Sequence, residues 1–177
     1  MRHVLLVIVP LACLAQPAAP PNFKVLDLQF KVVDLNHKVV DMGGKVEGLR
    51  VKETATEVRV EMAADILFDF DKAVLKPQAE ATLRQMASLI LSRGNGKVLI
   101  EGHTDAKGSN AYNQTLSLQR AHAVRTWLIE KGAVDRARLT AVGVGSQRPV
   151  APNTQPNGAD DPNGRQRNRR VELVISK

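Results

Sequence analysis

The residues Gly102–Leu128, GHTDAKGSNAYNQTLSLQRAHAVRTWL, join a polar turn to a long segment of helical period. The turn holds His103, Thr104 and Asp105 and follows the apolar run Val98-Leu99-Ile100, which reads as a buried strand. In the segment after it, Leu116, Ala121, Ala123, Val124, Trp127 and Leu128 project onto one broad arc of a helix running from about Asn113 to Lys131. Arg120 falls inside that arc. A guanidinium on an apolar face is costly unless a carboxylate and further acceptors meet it. The nearest candidate is Asp105, so the two are expected to neutralise each other when nothing is bound. Held at the rim of a core, such a pair suits a ligand carrying both charge signs. It serves equally well as a plain ion pair bracing turn to helix, and spacing alone does not choose.

Working outward, Val58, Val60 and Met62 alternate with Glu57, Arg59 and Glu61, the pattern of a half-buried strand. Ile66, Phe68 and Phe70 alternate in the same way and predict another strand. Pro77 suits the first turn of a helix, and Ala79, Leu83, Met86 and Ile90 follow at helical spacing until Gly94-Asn95-Gly96 ends it. On the far side, Gly132 stops the second helix. Leu139–Val144 reads as a strand, 146–167 as a long polar loop with prolines at 149, 152, 156 and 162, and Val171, Leu173 and Ile175 as a last strand. The order implies an α+β fold, a small mixed β-sheet with two helices packed on one face.

The chain of 177 residues has room for one core of useful size plus an extension. Aromatic residues make up 3%, too few for the girdles of a transmembrane barrel, and the alternating ten-residue strands of such a barrel are missing as well. The net charge of +7 favours an anionic partner without naming it.

Residues 1–15 read as an export signal: Arg2, a short apolar run Val4–Val9, then small residues. That run is too short to span a bilayer. Leu11-Ala12-Cys13 resembles the end of a bacterial lipoprotein signal, although Pro10 stands where Leu is usual. Acylation of Cys13 and its removal by a cut between Ala15 and Gln16 are both open. Residues 16–51 form a linker, in which KVLDLQF, KVVDLNH, KVVDMGG and KVEGLRV repeat every seven residues from Lys24. Val25, Leu28, Val32, Leu35, Val39, Met42, Val46 and Leu49 would form a heptad seam. Gly43-Gly44 and Gly48 weaken a helix there, and the segment is expected to serve as a monomeric, mostly non-helical tether. The domain proper is placed at 52–177.

Four blocks occur in one order: FDFDKAVLKP at 68–77, the Gly102–Leu128 stretch, VGVGSQRPVAPN at 142–153 and NRRVELVI at 168–175. Together they resemble the carboxyl-terminal domain of outer membrane protein A, a family of OmpA-like domains that also occurs in peptidoglycan-associated lipoproteins and flagellar stator proteins. The resemblance spans roughly Val58 to Lys177. It implies a periplasmic module, associated with the outer membrane, that binds peptidoglycan noncovalently through the diaminopimelate of the stem peptide. By position it carries the principal ligand pair to Asp105 and Arg120, supporting polar roles to Thr104 and Asn113, and the block closing the site to Asn168, Arg169 and Arg170. The chemistry fits. Asp105 can accept from the ligand's ammonium, while Arg120 can grip the carboxylate on the same carbon.

Other functions find less support. His3, His37 and His122 are scattered away from His103, so no metal set is expected. Ser109 and Ser117 lie near His103, yet no nucleophile elbow frames them, and neither an enzyme nor a cofactor is expected. Arg165, Arg167, Arg169 and Arg170 are the one support for nucleic-acid binding, against scarce stacking aromatics and an export signal. The remaining alternative is a purely structural, self-associating envelope protein.

Overall fold

The computed structural model describes Leu49–Lys177. The export signal, Cys13 and the seven-residue repeats up to Gly48 lie outside the described residues. Five strands form one sheet in the order β1-β2-β5-β3-β4, with β1 Leu49–Glu53, β2 Glu57–Ala63, β3 Val98–His103, β4 Leu139–Gly145 and β5 Arg170–Ser176. Only the β3–β4 pair is parallel. The longest helix, α3 (Asn110–Glu130), makes the crossover that such a pair requires. The boundary expected at residue 52 falls inside β1. Leu49, the first described residue, already pairs with Met62.

Alternation in the strands produces the core directly. Val58, Val60 and Met62 of β2 lie opposite Ile175, Leu173 and Val171 of β5. These in turn face Val98, Ile100 and Gly102 of β3. The apolar rows share one face of the sheet, where α2 (Glu80–Ser92) and α3 cover them with Leu83, Met86, Ile90, Ala121, Val124 and Leu128. Burying each large aliphatic side chain contributes about 1.5 to 3 kcal/mol. Pro77 opens a 3-10 turn, Pro77–Ala79, that leads into α2, as its missing N–H permits. Among the described residues no helix is long and apolar enough to cross a membrane.

Two elements differ from the sequence reading. Ile66, Phe68 and Phe70 do not form a strand. Instead α1 spans Ala64–Leu67, and Phe68 makes an isolated bridge to Leu75. Both lanes beside β2 are already taken, by β1 and β5, so the chain leaves the sheet after Ala63. Phe68 turns into the core and Phe70 stays 87% exposed. In the proline-rich loop a helix forms, α4 (Pro162–Asn168). The Asp161 carboxylate caps it by accepting from the Gly164 N–H at 3.0 Å, and Pro162 occupies its first turn.

Candidate functional site

Where β3 ends, Thr104 stays tied to β4 through its backbone N–H, which donates to the Gly145 carbonyl at 3.0 Å. Asp105 follows at once. Its Oδ1 accepts from the Lys107 backbone N–H at 3.0 Å, a local turn that fixes the carboxylate. Ser109 caps α3 by accepting from the Tyr112 N–H, so the helix starts three residues before the predicted Asn113. Asn113 lies one turn into α3, buried, and its Nδ2 donates to the Lys107 carbonyl at 2.9 Å. Turn and helix start are thereby locked together.

Arg120 lies two turns further along the same face and is 4% exposed. It does not pair with Asp105, contrary to expectation. Its Nε donates to the Lys72 carbonyl at 2.9 Å, and its guanidinium carbon stands 5.3 Å from the centre of the Phe68 ring. Burial lowers its pKa below the usual arginine value, while the nearby Asp65 and Asp71 carboxylates push it back up. Among the described residues its two terminal nitrogens have no hydrogen-bond acceptor. Asp105 is instead held at Oδ2 by Arg169 at 3.0 Å and by Arg165 at 3.5 Å. The segment that follows Phe68 runs past Arg120 and supplies its acceptor, the Lys72 carbonyl.

Asp105, Arg120, Thr104, Asn113 and Arg169 all line one cavity of about 350 Å³, with Asp65, Asp71 and Tyr112 at its walls. The Tyr112 hydroxyl donates to the Asp71 carboxylate. Thr104 is buried, and its Oγ1 has no partner. Two residues expected here lie elsewhere. Asn168 is fully buried and bonds Val150, Ala151 and Asn153, bracing the loop after β4 rather than facing the cavity. Arg170 opens β5 with its side chain on the opposite face of the sheet, where its Nε donates to Glu172 at 2.6 Å. Arg169, in the turn between α4 and β5, lines the cavity, whereas Arg170 pairs with Glu172 on the far face, so the two do not serve one site. Arg165 was read from the sequence as part of the long polar loop, and it lines the cavity. Its helix went unread, and with it the signal that could have placed it.

The opposite face gathers a second group that sequence spacing did not reveal. Glu101, His103 and Glu172 come within reach of one another beneath Arg59, Arg148 and Arg170. Arg59 meets Glu172 at 2.8 Å and Arg148 meets Glu101 at 3.1 Å. Three guanidiniums therefore already supply the positive charge a metal ion would bring, and they would repel one. His103 is 1% exposed, and among the described residues neither ring nitrogen has a hydrogen-bond partner. Burial, chiefly, and the Arg170 charge beside it lower its pKa to about 4. The unfolded chain takes up this proton near pH 6.5, before the folded one does. Stability should therefore fall as pH drops from 6.5 towards 4, by at most about 3 kcal/mol from this group. The Glu172 pKa is lowered by Arg59 and Arg170 against the effect of burial, so its contribution is also lost on the acid side. Melting temperatures of wild type and His103→Gln between pH 7 and 4 check this: the variant should show the flatter decline.

With fold and cavity described, the comparisons with known proteins can be read against them. A family model described as OmpA family matches residues 67–163, more than half of the chain. The chain belongs to the OmpA family. Outer membrane porin F of Pseudomonas aeruginosa is 42% identical to it over 121 residues, which are 68% of this chain and 32% of the porin. The structure of the cell wall anchor of the T6SS from Pseudomonas aeruginosa aligns with a TM-score of 0.62 at 30% identity, covering 72% of this chain and 87% of that one. The peptidoglycan-associated lipoprotein from Burkholderia pseudomallei aligns with a TM-score of 0.51 at 34% identity, covering 62% and 87%. The chain spans 14% to 40% of the length of the curated relatives it matches. These relatives are named as outer membrane proteins, a cell wall anchor and a peptidoglycan-associated lipoprotein, and the domain is periplasmic and associated with the outer membrane.

Proposed function

We propose that this OmpA-family domain is a non-catalytic module that binds peptidoglycan through the diaminopimelate of its stem peptide and so tethers the cell envelope to the wall. The observation that carries the reading is Arg120. A buried guanidinium whose terminal nitrogens find no acceptor among the described residues stands in the wall of a cavity that also holds Asp105 and the unpartnered Thr104 hydroxyl. Those nitrogens open onto the cavity, where a ligand carboxylate would give them charge-assisted acceptors. The free end of diaminopimelate offers a carboxylate for Arg120 and an ammonium for Asp105 on one carbon. Asp105 keeps acceptor capacity at Oδ1, which takes only the Lys107 N–H. Two relatives are named as a cell wall anchor and a peptidoglycan-associated lipoprotein, which supports the same class of partner for this chain. On this reading residues 1–15 direct export, Cys13 is a candidate anchor and the linker up to residue 48 is the tether.

Sedimentation with purified sacculi tests the proposal, with free ligands as competitors. Diaminopimelate should displace the protein, and lysine, lacking the second carboxylate, should compete at least about tenfold more weakly, the worth of one charge-assisted contact. Equal competition by the two would show that Arg120 reads no carboxylate.

A further inference from the structure

Arg165 carries the inference, which rests on the diaminopimelate reading. Its Nε and one terminal nitrogen are held in a fork by Asp160, at 2.8 and 2.6 Å. The other terminal nitrogen reaches Asp105 Oδ2 at 3.5 Å. Arg169 repeats the arrangement: Asp65 holds its Nε and one terminal nitrogen at 3.3 and 3.0 Å, and the remaining corner meets the same Asp105 oxygen at 3.0 Å. One carboxylate oxygen thus serves two guanidinium corners, and Arg165 has the poorer share. A charge-assisted bond settles near 2.7 to 2.9 Å, so the contact at 3.5 Å leaves that corner under-satisfied.

Arg165 lines the same cavity as Asp105 and Arg120, so its under-satisfied corner stands beside the space a ligand would fill. The one carboxylate at the free end of diaminopimelate is taken by Arg120. What answers the Arg165 corner is a second carboxylate on the same ligand. A stem peptide that ends at diaminopimelate has one, on the backbone carbon of that residue, separated from the free end by a short aliphatic spacer. We propose that Arg165 reads this terminal carboxylate and makes the cavity selective for stem peptides that end at diaminopimelate.

The test uses the full chain and three soluble peptides in titration calorimetry. These are the tripeptide L-alanyl-γ-D-glutamyl-diaminopimelate, the same tripeptide amidated at its terminal carboxyl, and the tetrapeptide extended by D-alanine. Wild type should bind the tripeptide about tenfold more tightly than either of the others. Arg165→Gln should bring that ratio close to one while keeping the preference for a diaminopimelate peptide over its lysine counterpart, which Arg120 sets. Mere loosening of α4 would weaken all the peptides together and leave both ratios intact. If Arg165→Gln retains the tripeptide ratio, or wild type lacks it, the role of Arg165 is refuted. If wild type fails to prefer diaminopimelate over lysine, the reading of the cavity falls and this inference with it.

Discussion

Asp105→Ala and Arg120→Ala should each lose sacculus binding by at least one order of magnitude while the domain keeps its fold. Each deletes a charge-assisted contact worth about 1.5 to 3 kcal/mol to the bound ligand. Neither should unfold the protein. In Asp105→Ala the guanidiniums of Arg165 and Arg169 keep their outer partners, Asp160 and Asp65. In Arg120→Ala only the Lys72 carbonyl loses a donor. Because the two side chains make no contact with each other, their effects on melting temperature should add, and any coupling should be seen only with ligand present. Sedimentation with sacculi beside thermal melts of both variants and the double variant provides the measurement. Binding of both single variants at the wild-type level would remove the site assignment altogether.

The reach of the sequence differs from element to element. Strands β2 and β5 were legible because alternation there follows one buried face, β3 because it is a short apolar run, and α2 and α3 because their apolar residues recur at helical spacing. The fold class followed from their order. The segment around Ile66–Phe70 misled because alternation records where side chains can be buried, not whether a neighbouring strand has a free lane. Helix α4 was lost for a different reason. Asp161-Pro162 is a legible helix start, but the prolines around it made the whole stretch read as a loop.

At the cavity the sequence identified which residues gather and not how they pair. Arg120 on an apolar arc demanded an acceptor, and the nearest carboxylate in sequence was Asp105. The acceptor it found was a main-chain carbonyl, Lys72, 48 positions away. Asp105 in turn found arginines from α4 and the chain just after it, 60 and 64 positions away. Pairings across such separations depend on tertiary packing, which no local period encodes. The same holds for Asn168 and Arg170. A motif that runs Asn-Arg-Arg was carried over as one block, whereas the change from α4 to β5 divides it among the loop brace, the cavity and the far face of the sheet.

Gly102→Ala should damage both fold and site severely, and a methyl group is the whole cause. A Cβ at Gly102 would lie 2.0 Å from the Ser117 carbonyl oxygen and 2.8 Å from its carbon, both main-chain atoms of α3. Nothing flexible can move aside there, so the helix itself must retreat from β3. The neighbouring contacts would go with it. The Ser117 hydroxyl accepts from the Gly145 N–H at 2.9 Å, and Gln114 Nε2 donates to the Gly143 carbonyl. Asn113 and Arg120 ride on the same helix, so the cavity should open as well. Overpacking of this kind costs about 3 kcal/mol or more. Gly94→Ala offers the contrast: that residue has φ of 75° and nothing within 4 Å of a Cβ, so only backbone strain of about 1 kcal/mol is expected. Urea denaturation of both variants, with sacculus binding measured beside it, separates the two effects. Gly102→Ala should lower both stability and binding, and Gly94→Ala should trim stability alone. If Gly102→Ala were no less stable than Gly94→Ala, the close seating of α3 on β3 would not be what holds Asn113 and Arg120 at the cavity.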